Sequence, residues 1–255
     1  MLGPTIVDSS NGNTCSLPEG ASFFFVGPAQ VAGQQEEPTR LSLFDLDCRS
    51  TGTADLGKGW EIRDASAERR LLCIWQYPVS SQEVVSVIDA ANGKTLRQFA
   101  SPPAGWDPFE SSLSVERFAD GGNAVCGVGG TWWHSTVRCE DLDSGKELGA
   151  TKRWTHPDLR TALHARRAVL SDYGTRLDGD LQWEVGSLKR RVVWDFGTGK
   201  EVVSWRPKSQ TALVTLPKGV DAHERSVPYQ FAISPDGEYV VEGGAGTVSL
   251  YRIEP

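Results

Sequence analysis

The sequence predicts an all-β protein made of repeated short antiparallel strands, and three observations lead to this prediction. Apolar and polar residues alternate over runs of strand length, whereas helical periodicity is nearly absent. Turn residues separate these runs, since the chain contains 27 Gly and 14 Pro. Two signatures, each combining strands with a turn, recur along the chain, which indicates a structural repeat.

The first signature is an apolar strand, a polar turn and a second strand. It is clearest in AISPDGEYVVEGG at 232–244, where Ser234-Pro235-Asp236-Gly237 forms a tight turn, and CSLPEGASFFFVG at 15–27 has the same arrangement. We expect each copy to form the first two strands of one repeat. Related segments lie at 63–75, 116–130 and 168–179.

The second signature is an alternating strand that ends in Asp, followed by a turn that contains Gly. In three copies this Gly precedes Lys. We expect this signature to form the third and fourth strands of each repeat, although the last repeat has TVSLYRI in this place and no fourth strand. The aligned aspartates are Asp45, Asp89, Asp141 and Asp195, at spacings of 44, 52 and 54 residues.

Five units of about 51 residues, each with four strand-length segments, fill the 255-residue chain. A period of this length with four short antiparallel strands is typical of a β-propeller blade. A single sheet cannot bury both its faces, whereas blades stacked in a ring can. The sequence therefore predicts one propeller domain over 1–255, with repeats at about 14–59, 60–99, 112–151, 164–206 and 227–255. The best helical candidate, HPDLRTALHARRAV at 156–169, is a short loop helix at most.

The turn motifs resemble those of WD-repeat proteins and of the related bacterial YVTN-type, quinoprotein-like propellers. The resemblance rests on Ser234-Pro235-Asp236-Gly237 and on turns such as Trp194-Asp195 with Gly199-Lys200. It covers nearly the whole chain and implies a fold rather than an activity. The Gly-His pair of WD repeats is absent and Trp-Asp occurs once. The hydrogen-bond network that Asp, His, Ser and Trp form in that family is therefore not expected, and the chain is predicted to be a divergent propeller.

Closure of the ring has two interpretations at the level of sequence. The segment PTIVDSSNGNT at 4–14 is similar to another third strand, with its turn at Asp8 and Gly12. It can complete the last blade as a strap, as in many such rings. Alternatively, the chain is a fragment of a larger propeller, for example a seven-bladed one, and begins inside another blade.

The charge balance disfavours some classes of partner. The formal net charge is −7 and the pI about 5.2, whereas nucleic-acid-binding proteins usually present a basic face. The clusters Lys189-Arg190-Arg191 and Arg166-Arg167 are interpreted as solvated strand edges and loop ends. No apolar run reaches the roughly 18 residues of a membrane span.

The N-terminus and the cysteines indicate the compartment only weakly. MLGPTIVDSSNGN has no signal-peptide pattern, which predicts a cytoplasmic protein, or a secreted or periplasmic one if the natural N-terminus lies upstream. The five cysteines are odd in number and contain no CxxC. This spacing predicts buried free thiols rather than a zinc site or a disulfide framework. The cysteines are Cys15, Cys48, Cys73, Cys126 and Cys139.

The longest and least similar connections are expected on one side of the ring, between successive blades and between second and third strands. Loops on a rigid scaffold are common binding sites, and Trp is a frequent anchor of protein interfaces. We therefore predict a side that binds a protein or peptide, while noting that some of these tryptophans can instead pack between blades. The candidate binding residues are Trp106, Trp132, Trp133, His134, Trp154, His156 and His223.

Catalysis is the second hypothesis. Glu61 and Glu116 fall on inner strands of adjacent repeats, where a carboxylate pair about 5 to 9 Å apart could hydrolyse a glycoside. The alternative is that they are ordinary channel-lining charges near Arg63 and Arg167. No nucleophile elbow, P-loop or dinucleotide fingerprint is present. We therefore predict a non-catalytic scaffold without cofactor or metal, and a hydrolase acting on carbohydrate or a lactone as the alternative.

Overall fold

A computed structural model describes the chain at 4–7, 12–18, 22–27, 29–34, 40–57, 59–69, 71–76, 84–100, 114–131, 134–154, 158–177, 183–206, 230–244 and 247–253. These ranges contain strands and one short 3-10 turn, Asp120–Gly122. None of their helical residues forms a helix long and apolar enough to cross a membrane.

The strands in chain order are β1 (Thr5–Val7), β2 (Thr14–Ser16), β3 (Ser22–Gly27), β4 (Gln30–Gln34), β5 (Arg40–Asp45), β6 (Ser50–Asp55), β7 (Trp60–Ser66), β8 (Leu71–Gln76), β9 (Val84–Asp89), β10 (Thr95–Ala100), β11 (Ser114–Ala119), β12 (Ala124–Thr131), β13 (His134–Asp141), β14 (Glu147–Trp154), β15 (Asp158–Thr161), β16 (Arg167–Leu177), β17 (Trp183–Asp195), β18 (Lys200–Trp205), β19 (Gln230–Ile233), β20 (Tyr239–Gly244) and β21 (Thr247–Arg252).

These strands form a series of antiparallel sheets in which chain neighbours are also sheet neighbours. We call β1–β2 the N-terminal hairpin, β3–β6 blade 1, β7–β10 blade 2, β11–β14 blade 3, β15–β18 blade 4 and β19–β21 blade 5. Blades 1 to 4 have four strands each, and in the described residues blade 5 has three. The predicted repeat of four antiparallel strands is therefore confirmed in blades 1 to 4.

The third strand of blades 1 to 4 ends in Asp because this side chain closes the following turn. The Asp141 carboxylate accepts the N–H of Ser144 at 2.8 Å and the Ser144 hydroxyl at 2.6 Å. These hydrogen bonds lower the pKa of Asp141. Gly145 then adopts a φ of 72°, a left-handed conformation that glycine tolerates best. The same side-chain turn follows Asp45, Asp89 and Asp195.

The apolar core lies between successive sheets rather than within one sheet. Each core cluster joins residues of two neighbouring units, from the N-terminal hairpin and blade 1 to blades 4 and 5. Between blades 3 and 4, for example, Val137 and Trp194 are each at most 1% exposed. Burial of apolar area between sheets is therefore what holds the blades together.

A buried ion pair replaces apolar contact at one point between blades 4 and 5. The Arg191 Nε lies 3.2 Å from Glu242 Oε1, and these side chains are 0% and 8% exposed. The Arg191 guanidinium also lies 4.0 Å from the centre of the Phe231 ring. The interpretation of the Lys189-Arg190-Arg191 cluster as solvated is therefore wrong for Arg191, which the sheet alternation turns towards blade 5.

The structure adds three details to the sequence-based organisation. The segment at 156–169, for which the sequence allowed a short loop helix at most, contributes its described residues to β15 and to the start of β16, which pair through residues such as Leu159 and Leu170. Blade 4 accordingly begins at Asp158, before the predicted repeat start at 164. The strand at Thr5–Val7 pairs with β2 and packs on blade 1, and β21 pairs with β20 alone among the described residues.

The prediction of free thiols is wrong for four of the five cysteines. Cys126 and Cys139 form a disulfide because β12 and β13 place them directly opposite each other. Cys15 and Cys48 form a second disulfide, which ties the N-terminal hairpin to the turn after the third strand of blade 1. Cys73 is a buried free thiol, as predicted, and burial raises its pKa.

Candidate functional site

The blades have two sides, and the structure describes one of them in detail. The turns between first and second strands lie beside the turns between third and fourth strands. In blade 3 the N–H of Leu142 donates to Asn123 O at 2.8 Å, and in blade 4 Phe196 donates to Arg166 O at 2.9 Å. We call this the turn side. The opposite side, which carries the other connections, is the loop side.

The turns of the turn side are tied to those of the next blade. Arg69 in blade 2 donates to Asp143 in blade 3 at 2.8 Å. Arg166 in blade 4 donates to Asp120 in blade 3 at 2.8 Å. Arg167 in turn donates to Gly237 O in blade 5 at 3.0 Å. These side chains are therefore occupied in holding the blades together.

The backbone adds similar ties. Gly121 in blade 3 donates to Leu163 O in blade 4, and His164 N–H donates to Pro235 O in blade 5 at 2.6 Å. The His164 imidazole also lies 3.8 Å from the Glu68 carboxylate of blade 2. Turns from blades 2 to 5 thus converge, which is the arrangement expected around a propeller axis.

Most of the predicted binding residues lie outside the described residues. This applies to Trp106, Trp132, Trp133, His156 and His223. His134 begins β13, and its side chain is likewise outside the described part. Whether these residues lie close together therefore stays a prediction.

Trp154 is the described member of this set, and its ring lies in the core. It ends β14 and is 1% exposed. Its indole N–H donates to the Thr151 hydroxyl at 3.1 Å, and the Arg190 guanidinium lies 4.9 Å from its ring centre. Packing between blades, the alternative that the sequence left open for some tryptophans, accounts for this residue.

The inner strands carry several charged groups that are paired within their own strand. Arg63 lies 3.5 Å from Glu61 on β7, and Arg160 lies 2.9 Å from Asp158 on β15. Arg117 on β11 reaches back to blade 2 and donates to Arg63 O at 3.1 Å. The first strands of blades 2 to 4 together therefore carry both positively and negatively charged side chains.

The predicted carboxylate pair is tested only in part. Glu61 is half-exposed and beside Arg63, whereas the Glu116 side chain lies outside the described residues. Arg167, which the sequence analysis named beside these carboxylates, begins the second strand of blade 4 and donates to a turn carbonyl of blade 5.

Asp64 is the inner-strand carboxylate that the sequence analysis missed. A register irregularity between Ile62 and Asp64 turns its side chain towards blade 3, where Oδ2 accepts the N–H of Phe118 at 2.6 Å. Burial raises the pKa of Asp64, although the Phe118 N–H and the nearby Arg117 oppose the shift. The adjacent charges Arg63 and Asp64, which interrupt the alternation of apolar and polar residues in β7, were the signal that could have indicated it.

Within the described ranges no group of three or more His, Cys, Asp or Glu side chains is arranged to hold a metal ion. The arrangement that the structure does show is a set of blades whose turn side is cross-linked by hydrogen bonds. Such an arrangement can hold the loops of the opposite side at fixed separations.

Comparison with solved structures identifies the fold. The mitotic checkpoint complex contains a chain that is 12% identical, with 98% of this chain and 68% of that chain covered and a TM-score of 0.50. The β-propeller domain of the Trilobed protease from Pyrococcus furiosus, described as having an open velcro topology, is 12% identical, with coverage of 92% and 69% and a TM-score of 0.52. TolB from Acinetobacter baumannii is 14% identical, with coverage of 98% and 56% and a TM-score of 0.52.

These similarities show the fold alone, because identity is low. The predicted all-β propeller of about five blades is confirmed. No protein-family model matches the sequence, and no curated protein matches it.

Proposed function

We propose that the protein is a non-catalytic propeller scaffold that binds a protein or peptide on its loop side. The observation that carries this proposal is the difference between the two sides. The turn side uses its charged groups for ties between blades, such as Arg69 to Asp143. The connections at 101–113 and 207–229, which the strand order leads us to expect on the loop side, are long and unlike in sequence. A rigid frame with variable loops is suited to recognition of a macromolecule.

The Trp-Trp-His sequence in blade 3 is the proposed anchor. Strand β12 ends at Thr131 and β13 begins at His134, which supports a position of Trp132 and Trp133 at the loop-side end of this hairpin. Tryptophan combines a large apolar surface with one hydrogen-bond donor, which is why it often dominates the affinity of an interface.

The described carboxylates of the inner strands do not favour the hydrolase alternative. Glu61 and Asp158 are each beside an arginine, and Asp64 accepts a backbone hydrogen bond of the next blade. Each of these carboxylates therefore has a partner within the blades, and a structural role accounts for its presence. A channel hydrolase acting on carbohydrate or a lactone stays a prediction of the sequence.

The turns support a finer assignment, that the chain is a divergent relative of WD-repeat or YVTN-type propellers. In each of blades 1 to 4, an Asp at the end of the third strand accepts backbone N–H groups of the following turn. This is the physical reason for the Asp and Gly spacing on which the resemblance rests.

The two disulfides support function in an oxidising compartment, the second of the two locations that the sequence allowed. Disulfides persist in secreted and periplasmic proteins and are rare in the cytosol of most organisms. We expect one reactive thiol in the denatured, unreduced protein, that of Cys73, and five after reduction. Mass spectrometry after alkylation measures this number. Five thiols in protein isolated from its natural source would contradict the proposal.

The binding proposal is tested with a matched pair of variants. Partners are captured from the source organism's extract, purified, and titrated against the wild type, Trp132→Ala/Trp133→Ala and Leu46→Ala. Leu46 is a suitable control because it is 40% exposed but lies in a turn of the turn side. Calorimetry or fluorescence anisotropy measures the dissociation constant.

We expect the tryptophan double variant to weaken binding by at least about 2 kcal/mol, more than tenfold, and Leu46→Ala to leave it unchanged. Weakening by Leu46→Ala alone would move the site to the turn side and contradict the proposal. If no purified partner binds the folded wild type, the proposal is contradicted as well. Circular dichroism of all three proteins shows whether a loss of binding is a loss of fold.

A further inference from the structure

The N-terminal hairpin packs on the face of blade 1 that is turned away from blade 2. Leu41 and Leu43 of β5 pack towards blade 2, whereas Phe44 of the same strand packs with the hairpin. Phe44 and Val31 of β4 are 6% and 2% exposed, so this face of blade 1 is covered. Within the described residues, the hairpin therefore takes the place on blade 1 that a neighbouring blade has elsewhere.

The apolar contact that the hairpin makes with blade 1 is small. Each of its strands has three residues, and only the middle ones, Ile6 and Cys15, are not exposed. These two residues lie opposite each other, and Leu17 beyond β2 is 5% exposed. Two apolar side chains bury little area against the entropy that is lost when two short strands become ordered. We therefore expect these contacts alone to hold the hairpin weakly.

The Cys15–Cys48 disulfide supplies a covalent attachment. Cys15 lies in β2 and Cys48 lies in the turn between β5 and β6, so the bond joins the hairpin directly to blade 1. A link of this kind keeps two segments at a high effective concentration, so that weak contacts between them stay formed. The position of the hairpin therefore depends on whether this disulfide is intact.

Cys48 stands where the corresponding turn of another blade has glycine. In blade 1 the N–H of Asp45 donates to the carbonyl of the residue that follows Cys48. In blade 3 the N–H of Asp141 donates in the same way to the residue that follows Gly145. Cys48 and Gly145 have φ of 61° and 72°, a left-handed conformation that is unfavourable for a residue with a Cβ atom. The disulfide gives a physical reason for a cysteine where glycine would fit better.

The two disulfides of the chain differ in their access to solvent. Cys15 and Cys48 are both partly exposed, whereas Cys126 and Cys139 are 0% exposed. A thiolate reduces a disulfide by direct attack on one of its sulfurs, so access limits the rate. A reductant that meets the folded protein should therefore open Cys15–Cys48 and leave the buried disulfide of blade 3 intact.

We propose that the Cys15–Cys48 disulfide is a redox-sensitive latch, and that its reduction by a dithiol releases the N-terminal hairpin from blade 1. One thiolate of the dithiol attacks a sulfur of the latch and forms a mixed disulfide, and its second thiol then displaces the protein sulfur. The protein S–S bond breaks, Cys15 and Cys48 gain two electrons and two protons, and the dithiol becomes a disulfide. In the oxidising compartment proposed above, the latch is closed until such a reductant acts.

Release of the hairpin uncovers an apolar surface on blade 1. Phe23 and Phe44 form an edge-to-face pair with ring centres 6.0 Å apart, and Val31 belongs to the same cluster. While the latch is closed, Ile6 and Leu17 of the hairpin segment pack against this cluster. When the latch is open, the cluster meets water and the segment at 4–18 loses its fixed position on blade 1.

Selective reduction and hydrogen exchange test the proposal on the intact, folded chain. Oxidised protein is incubated with dithiothreitol, and alkylation followed by peptide mapping shows which cysteines have become thiols. Hydrogen exchange, measured by mass spectrometry, then compares peptides from 4–18 with peptides from blades 2 to 4. Cys15→Ser/Cys48→Gly is the matched variant, because it removes the latch while glycine suits the left-handed position in the turn.

We expect dithiothreitol to reduce the latch at least about tenfold faster than the buried disulfide of blade 3. Amides of the hairpin segment, such as that of Leu17, which donates to Pro4 O at 2.9 Å, should then exchange at least about tenfold faster. Amides of blades 2 to 4 should not change. The variant should show the same pattern without reductant, and reoxidation of the wild type should restore protection of the hairpin.

Hairpin protection that persists after reduction, or in the variant, would overturn the proposal, because the disulfide would then not be what holds the hairpin. Equal rates of reduction for the two disulfides would overturn it as well, as would free thiols at Cys15 and Cys48 in protein folded under oxidising conditions. Exchange that rises throughout the blades would show global unfolding instead of release and would also contradict it. None of these outcomes depends on a partner of the loop side.

Discussion

Blade 3 and blade 5 have the same strand pattern but different neighbours. Blade 3 packs against blade 2 on one face and blade 4 on the other, whereas blade 5 packs against blade 4 alone among the described residues. Val137 of blade 3 and Val248 of blade 5 hold the same position in the third strand, yet they are 0% and 77% exposed. The comparison shows that the contribution of a side chain here depends on the adjacent sheet.

The most direct test of this comparison places the same charge at both positions. Val137→Lys should lower the free energy of unfolding by more than about 4 kcal/mol, because it buries an unpaired ammonium group. Val248→Lys should change it by no more than about 0.5 kcal/mol, because the side chain stays in water. Urea unfolding at a protein concentration that keeps the chain monomeric measures both. Equal effects would contradict the assignment of the two faces.

Arg191 sharpens the comparison, because a charged residue here occupies the position of Val137 in the next blade. Arg191→Ala should cost about 3 to 5 kcal/mol, since it leaves the buried Glu242 carboxylate without its ion pair. Arg191→Leu combined with Glu242→Leu should restore stability to near the wild-type value. Urea unfolding measures these values.

The adjacent Arg190 is the control for this prediction. It is 40% exposed and its ion pairs with Asp172 and Glu201 are 3.7 and 3.5 Å long. Arg190→Ala should therefore cost about 1 to 2 kcal/mol, less than Arg191→Ala, since it removes these long ion pairs and the contact with the Trp154 ring. If Arg191→Leu/Glu242→Leu is as unstable as Arg191→Ala, then the ion pair itself stabilises the fold, and the loss in Arg191→Ala is not due to an unpaired Glu242 carboxylate.

The smallest expected effect concerns Asp64, a polar contact between blades 2 and 3. Burial raises the pKa of this carboxyl above its ordinary value of 3.8. The folded state therefore holds the Asp64 proton over a pH range in which the unfolded chain has lost it, so the stability that this group contributes falls as the pH rises through the raised pKa. Asp64→Asn should remove this contribution to the slope, since the amide oxygen can still accept the Phe118 N–H.

Urea unfolding from pH 4 upwards measures the slope. Asp47→Asn, a change in an exposed turn where the side chain is 71% exposed, should keep the slope of the wild type. A slope unchanged in Asp64→Asn would show that another group determines the pH dependence.

Much of the fold could be predicted from the sequence because it depends on local patterns. Alternation predicts strands, and the turns at Asp141 and Ser234 contain side chains that bond to their own backbone. Local patterns were less informative for the segment at 156–169, where the sequence allowed a short loop helix at most but the described residues pair as β15 and β16.

The candidate site was less predictable, because side chains on it act across blades. The position of Trp154 in the core depends on blade 4, and the ion pair of Arg191 depends on blade 5. The Cys126–Cys139 disulfide is an intermediate case. The sequence predicted that second and third strands are neighbours, but only the structure gives the register that places these two residues opposite each other, and the odd number of cysteines favoured free thiols.

The sequence by itself determined the strands, their order and their antiparallel connections, since these depend on turns and alternation within one blade. Only the tertiary structure decided which face of each sheet is covered, which charges are buried and which cysteines are paired. The physical reason is that alternation assigns each residue of a strand to one of the two faces of the sheet, but it does not determine which face another sheet covers. The neighbouring blade determines whether an apolar residue such as Val137 or Val248 lies in the core or in water.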